Sequence, residues 1–137
     1  MLYAALQFST SLVEVFGDKR VIEYGSRRVG IIKLTREIVL LDLVDGAMAA
    51  GTVSALGSIT SRRISQSWSR YFHRRTGTFG RIDGLYYNGS HNTGECVLLY
   101  ERAADAVECD ERTTVALSDK RWRPAILNAI QRYNLVE

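Results

Sequence analysis

The chain opens with MLYAALQFSTSLVEVFG, residues 1–17, and the way this stretch folds decides the rest. Leu2 to Ala5 is a short apolar run of the kind a buried strand makes. Ser9 to Ser11 then offer hydroxyls that cap a helix carrying Leu12, Val13, Val15 and Phe16, and Gly17 supplies its stop. A strand that runs at once into a helix implies a sheet with a helix laid against it. An export signal needs instead a basic leader, a longer apolar core and a small-residue cleavage site. Here the first basic residue is Lys19, and Ser9, Thr10, Ser11 and Glu14 break the apolar run. No later segment approaches the ~20 apolar residues of a membrane span. The reading is a soluble, cytoplasmic protein.

Further along, Val29 to Leu34 and Glu37 to Leu43 are rich in β-branched residues and leucine, and Thr35-Arg36 between them fits a turn joining two strands. Asp45 to Gly57 is alanine-rich and predicts a weak helix, weakened by Gly46 and Gly51. Thr60 to Arg75 carries the clearest helical period: Ile64, Trp68, Tyr71 and Phe72 share one face, with Arg62, Arg63, Arg70 and Arg74 mostly on the other. That helix should end near Gly77. Leu85 to Tyr87 and Cys96 to Tyr100 read as strands around the turn-forming loop NGSHNTGE, residues 88–95. A strand at Thr113 to Leu117 follows. Ser118 or Asp119 then caps a last helix with Trp122, Ile126, Ala129, Ile130 and Tyr133 at helical spacing and Pro124 in its first turns. Strands and helices mix without a βαβ rhythm, so the class is α+β with a mixed or mostly antiparallel sheet. Neither repeat nor linker divides residues 1–137, which read as one domain.

With 137 residues, 46% of them hydrophobic, the chain buries roughly two-thirds of its unfolded surface and needs no staples. Lysine and arginine outnumber aspartate and glutamate by 18 to 15, a net charge of +3 that does not by itself imply nucleic acid. Cys96 and Cys109 have neither CxxC spacing nor a histidine partner, so two reduced, partly buried thiols are expected rather than a zinc site or a disulfide. The dinucleotide, Walker, serine-hydrolase and zinc-protease fingerprints are all missing from the sequence.

Three features carry possible chemistry. Glu14 stands inside the apolar run LVEVF, so its carboxylate is either on the helix's wet face or held at a cleft wall for use. The loop after Tyr86 and Tyr87 offers Asn88, Ser90, His91 and Asn92 as donors and acceptors, and Gly89 lets backbone amides approach a ligand closely; the alternative is a plain hairpin tip. His91 lacks the second histidine or acidic cluster of a metal site. Residues 62–81 contain six arginines and no acid, which suits a small nucleic-acid-binding module, but the aromatics fall at core spacing and favour solvated arginines on a packed helix.

In order, these features resemble the RES domain family, named for its arginine, glutamate and serine. The family's LYxA strand and ALxE-like helix turn correspond to Leu2-Tyr3-Ala4-Ala5 and Ser11-Leu12-Val13-Glu14. Its Q-x-W helix corresponds to Gln66-Ser67-Trp68, and its DGIxYxS block to Asp83-Gly84-Leu85-Tyr86-Tyr87, followed by the apolar strand Cys96 to Tyr100. The blocks extend from Leu2 to about Arg102.

The resemblance implies an ADP-ribosyltransferase-like fold and a toxin that consumes NAD as substrate, cleaving the nicotinamide–ribose bond by hydrolysis, by phosphorolysis or by transfer of ADP-ribose to a protein; from the residues, no metal is expected. It also implies a helix-turn-helix antitoxin partner that blocks the cleft, and hence a non-enzymatic alternative in which an inactive module only binds that partner. Glu14 would stabilise the oxocarbenium-like transition state, Tyr3 would stack on or hydrogen-bond the nucleotide, and Ser90 would hydrogen-bond the nicotinamide side. Tyr87, Gly89 and His91 would line the substrate. Ungapped, the DGIxYxS block puts Gly89 at the serine's place, and a one-residue bulge would bring Ser90 to it. The family arginine lies on a strand upstream of LYxA, so the expectation is an N-terminally shortened, weakly active domain whose unpaired edge invites a homo-oligomer.

Overall fold

The computed structural model describes residues 1–53 and 62–137. Its centre is a four-stranded sheet in the order β1 (Leu2–Ala5), β6 (Glu95–Leu99), β5 (Gly84–Asn88), β4 (Leu40–Asp42). β6 runs antiparallel to both its neighbours, and β4 lies parallel to β5, so the sheet is mixed. The register places Tyr3, Leu98, Leu85 and Leu41 in one cross-strand row and Ala5, Cys96 and Tyr87 in another. These rows are two residues apart on β1, β5 and β6, so their side chains share one face of the sheet.

That face is covered by helix α2 (Arg62–Arg74) and the short α3 (Thr76–Phe79). Phe72, fully buried, packs with Leu43, Ile82, Leu85, Leu98 and Tyr100, and Trp68 and Phe79 close over it. Burying one such aromatic contributes about 1.5–3 kcal/mol, which is what holds a polar, arginine-rich helix to the sheet. The Tyr100 hydroxyl donates to the Ser69 carbonyl at 2.8 Å, satisfying a buried polar group where the sheet meets α2.

A second core lies between α1 (Phe8–Phe16) and α4 (Arg123–Tyr133), where Leu12, Val13 and Phe16 meet Ile126, Ala129, Ile22, Leu117 and Leu135. Phe8 stacks on Trp122 with ring centroids 4.7 Å apart. Two small ribbons complete the chain: β2 (Arg28–Val29) with β8 (Val115–Ala116), and β3 (Ile32–Leu34) with β7 (Val107–Cys109), both antiparallel. Between β6 and β7 the chain makes a 3-10 helix over Glu101–Ala106. Asp105 at its end and Asp83 beside β5 both accept hydrogen bonds from Arg36, which clips the loop before β4 to the sheet. Among the described residues no helix is long and apolar enough to cross a membrane.

The strand at the N-terminus, the β5–β6 hairpin, the arginine-rich helix and the last helix stand where the sequence predicts them. Other expectations are corrected. The runs at Val29–Leu34 and Glu37–Leu43 do not pair with each other; each finds a distant partner, since apolar content marks a strand without naming its neighbour. Helix α1 starts at Phe8, so Ser9 to Ser11 lie inside its first turn; the cap is Gln7, with no side-chain cap bond. Val15 is 54% exposed, and the buried face is Leu12, Val13 and Phe16. Asp45 to Val53 forms turns instead of a helix, while 54–57, Thr60 and Ser61 fall outside the described residues. Asp119 caps a 3-10 turn over Lys120–Trp122, accepting from the Arg121 N–H, whereas α4 itself begins at Arg123 after Trp122 with no side-chain cap bond, so neither Ser118 nor Asp119 caps the last helix. Cys109 is exposed and only Cys96 is buried.

Candidate active site

Glu14 is held on the last turn and a half of α1, one position past the buried Val13 and two before the buried Phe16. With those neighbours inserted into the second core, its side chain emerges at the rim, 28% exposed, toward the loop that joins β5 to β6. The loop comes to meet it. Oε1 accepts the backbone N–H of His91 at 3.1 Å, and Ser90 Oγ donates toward Oε2 across 3.3 Å. The carboxylate therefore neither lies free on the wet face nor sits sealed in a core.

The loop's geometry follows from its glycine. The β5–β6 ladder runs without a bulge from Gly84 opposite Leu99 to Asn88 opposite Glu95, and the Gly89 N–H then donates to the Gly94 carbonyl at 2.8 Å. A Cβ on Gly89 would stand 2.5 Å from Glu14 Oε1 and 3.2 Å from Cys96 Sγ, so the glycine leaves the carboxylate the place it takes over the strand end. The bulge expected at this point is absent. Ser90 reaches Glu14 because it sits in the turn, past the last ladder pair, where strand alternation no longer dictates a face. Asn92 anchors the far side of the turn, its side-chain amide donating to Thr10 Oγ1 at 3.2 Å and to the Tyr133 hydroxyl at 3.3 Å.

His91 is clasped from both sides. Its Nδ1 lies 3.0 Å from Ser90 Oγ and 3.4 Å from Glu14 Oε1, and its Nε2 lies 2.9 Å from Asp18 Oδ1. The ring passes close over Gly17, where a Cβ would collide with it. Asp18, in the turn just past α1, belongs to no motif in the sequence; its one signal is that it stands four places after Glu14, the spacing that brings side chains to one side of a helical stretch.

Tyr87 and Cys96, paired across β5 and β6, floor the site. Burial first, then the charges of Cys96, Glu14 and Tyr3, push the Tyr87 phenol well above its ordinary range. Burial and the nearby Glu14 push the Cys96 thiol up to about 11, against a smaller opposing pull from a hydrogen bond with the Gly89 backbone. Both groups are thus neutral at physiological pH, beneath the Glu14 side chain. Tyr3 lies on the same sheet face at the edge strand, 56% exposed, near enough to influence Tyr87, and no hydrogen bond joins it to Glu14. The structure therefore gathers Glu14, Gly89, Ser90, His91 and Tyr87 at one place, with Tyr3 at its margin. Among the described residues no group of three or more histidine, cysteine or acidic side chains is disposed to hold a metal ion.

Chemically, this is a partly exposed acidic site: a carboxylate with both oxygens directed by a serine and a main-chain amide, backed by neutral aromatic and thiol groups. A search of curated proteins and of solved structures finds no match. A scan against protein-family models matches the RES domain over residues 1–123, a span that takes in β1 through β8 and so every residue of the site just described except Tyr133 of its outer anchor. The chain belongs to the RES domain family.

Proposed function

We propose that this protein cleaves the bond between nicotinamide and ribose in NAD, as an ADP-ribosyltransferase-like enzyme of toxin type. The observation that carries the reading is the Glu14 carboxylate, presented at the sheet's rim by the Ser90 hydroxyl and the His91 amide. As nicotinamide departs, positive charge grows on the ribose, and a fixed carboxylate beside it lowers the barrier because its orientation is already set. The same negative wall attracts the cationic nicotinamide ring in the ground state. In this reading Ser90 and Tyr87 would touch the nicotinamide riboside end, and Tyr3 at the margin would offer a ring to the rest of the nucleotide. A helix-turn-helix antitoxin that covers this cleft is the partner the family assignment favours.

The test is release of free nicotinamide from NAD by the purified chain. Turnover that disappears in Glu14→Ala supports the reading; no release of nicotinamide by the unsubstituted chain overturns it and leaves the module that only binds an antitoxin.

A further inference from the structure

The period of helix α2 lays out two adjacent rows of side chains. Ile64, Trp68, Tyr71 and Arg75 form one, and Arg63, Ser67, Arg70 and Arg74 form the other beside it. Phe72, further round the helix, is fully buried against the sheet, whereas Ile64 is 48% exposed and Tyr71 37%. The apolar arc of α2 is therefore wider than the sheet covers. Two shallow depressions run along its outer side, one of about 460 Å³ between Arg63, Ile64 and Trp68 and one of about 390 Å³ along Arg70, Arg74 and Arg75, and both are lined by Ser67 and Tyr71. None of these side chains belongs to the Glu14 site. We infer that this outer surface of α2 docks a protein partner through an amphipathic helix whose apolar stripe is bordered by carboxylates.

Charge selects the occupant. Residues 62–81 hold six arginines and no acid, and among the described residues Arg63, Arg70, Arg74 and Arg75 have no carboxylate paired with them. Cations gathered on one helix repel one another, and a guanidinium fork receives a carboxylate through two parallel hydrogen bonds. The Arg75 guanidinium lies 4.9 Å from the centroid of the Tyr71 ring, which holds a cation beside the apolar row. A helix that sets its apolar side chains against Ile64 and Tyr71 thus brings its flanking glutamates or aspartates to these arginines. Single-stranded nucleic acid is drawn by the same charge, but it also needs open ring faces on which its bases stack. Here Trp68 is stacked on Phe72 with ring centroids 5.5 Å apart, and Arg75 lies over Tyr71. The most exposed apolar group of the row is the aliphatic Ile64, which suits a leucine-like side chain better than a base.

The full chain is titrated into labelled probes and followed by fluorescence anisotropy. The probes are a helical peptide with a leucine stripe bordered by glutamates, the same peptide with lysines in place of the glutamates, and a single-stranded oligothymidylate. The glutamate peptide should bind at least ~10-fold more tightly than either of the others, and its affinity should fall as salt is raised. Arg70→Glu combined with Arg74→Glu should reverse the preference between the two peptides. Ile64→Ser should weaken the glutamate peptide by about fivefold or more. All three positions are exposed, and thermal unfolding identifies any variant that fails to fold, for which Arg→Gln or Ile64→Ala is substituted. Absence of binding by the glutamate peptide overturns the inference, as does a lysine peptide or an oligonucleotide bound within that ~10-fold margin. A folded double arginine variant that keeps the original affinity for the glutamate peptide also overturns it, and a folded Ile64 variant that binds as the unsubstituted chain does removes the apolar row from the interface and overturns it as well.

Discussion

The Glu14 carboxylate and the His91 backbone N–H, 77 positions apart in sequence, meet at 3.1 Å. A main-chain donor on a hairpin turn cannot rotate away as a side chain can, so one carboxylate oxygen has a fixed place. Glu14→Gln keeps an oxygen for that donor and removes the charge. The expected result is a fall in NAD turnover of at least ~10²-fold with a melting temperature close to that of the unsubstituted chain. Parallel assays of nicotinamide release and thermal unfolding check it, and a Gln variant that turns over normally would remove charge stabilisation from the mechanism.

Gly89→Ala tests the same contact from below. The new methyl would arrive 2.5 Å from Glu14 Oε1 and 2.8 Å from its Cδ, both at the far end of a flexible side chain, so the carboxylate must swing off its place. It then loses its hydrogen bonds from the His91 N–H and the Ser90 hydroxyl. Nicotinamide release should fall while chemical denaturation shows only a small change in stability; turnover at the rate of the unsubstituted chain would mean that Gly89 does not set the position of the Glu14 carboxylate.

Much of this architecture is legible in the sequence because it is local. The β5–β6 hairpin announces itself by two apolar runs around a loop rich in asparagine and glycine, and α2 and α4 by their period. What stays hidden is long-range. Nothing between Val29 and Leu43 says that Ile32 pairs with Cys109 or Val29 with Val115, because a strand's pattern encodes burial and not its partner. The site divides in the same way. Glu14 is conspicuous as an acid in an apolar run, and the loop is conspicuous for its polar groups. That Ser90 meets Glu14 with no bulge depends on where the ladder stops, and Asp18 matters only once His91 folds over Gly17.

The two cysteines should react very differently. Cys96 is 3% exposed, and its thiol is pushed up to about 11, so little thiolate exists and little of that is reachable. Cys109 is exposed on β7. Iodoacetamide at neutral pH should add one carbamidomethyl group, at Cys109, with Cys96 following only in denaturant. Peptide mapping by mass spectrometry reads this directly, and early labelling of Cys96 in the folded protein would contradict its position beneath Glu14.

Arg36 and Asp83 supply the last prediction, which concerns pH. Asp83 is 8% exposed, and its carboxylate accepts from Arg36 at 3.0 Å and from the Val39 N–H at 2.9 Å. The hydrogen bond from the guanidinium holds the Asp83 carboxyl below the ordinary carboxylate range, burial opposes it, and the Val39 N–H adds to the lowering; Arg36 likewise holds down Asp105. A carboxyl that is more acidic folded than unfolded stabilises the fold above its unfolded value and loses that contribution as pH falls through the folded one. Stability should therefore be level near neutrality and decline on acidification below the ordinary carboxylate range of about 4. Arg36→Ala should lower stability at neutral pH, because it leaves a largely buried carboxylate with one main-chain donor. It should also flatten the acid limb, since the group that lowers the Asp83 value is gone. Urea titrations of both proteins across the acid range give the comparison, and an acid limb equally steep in the variant would assign acid sensitivity to other carboxylates.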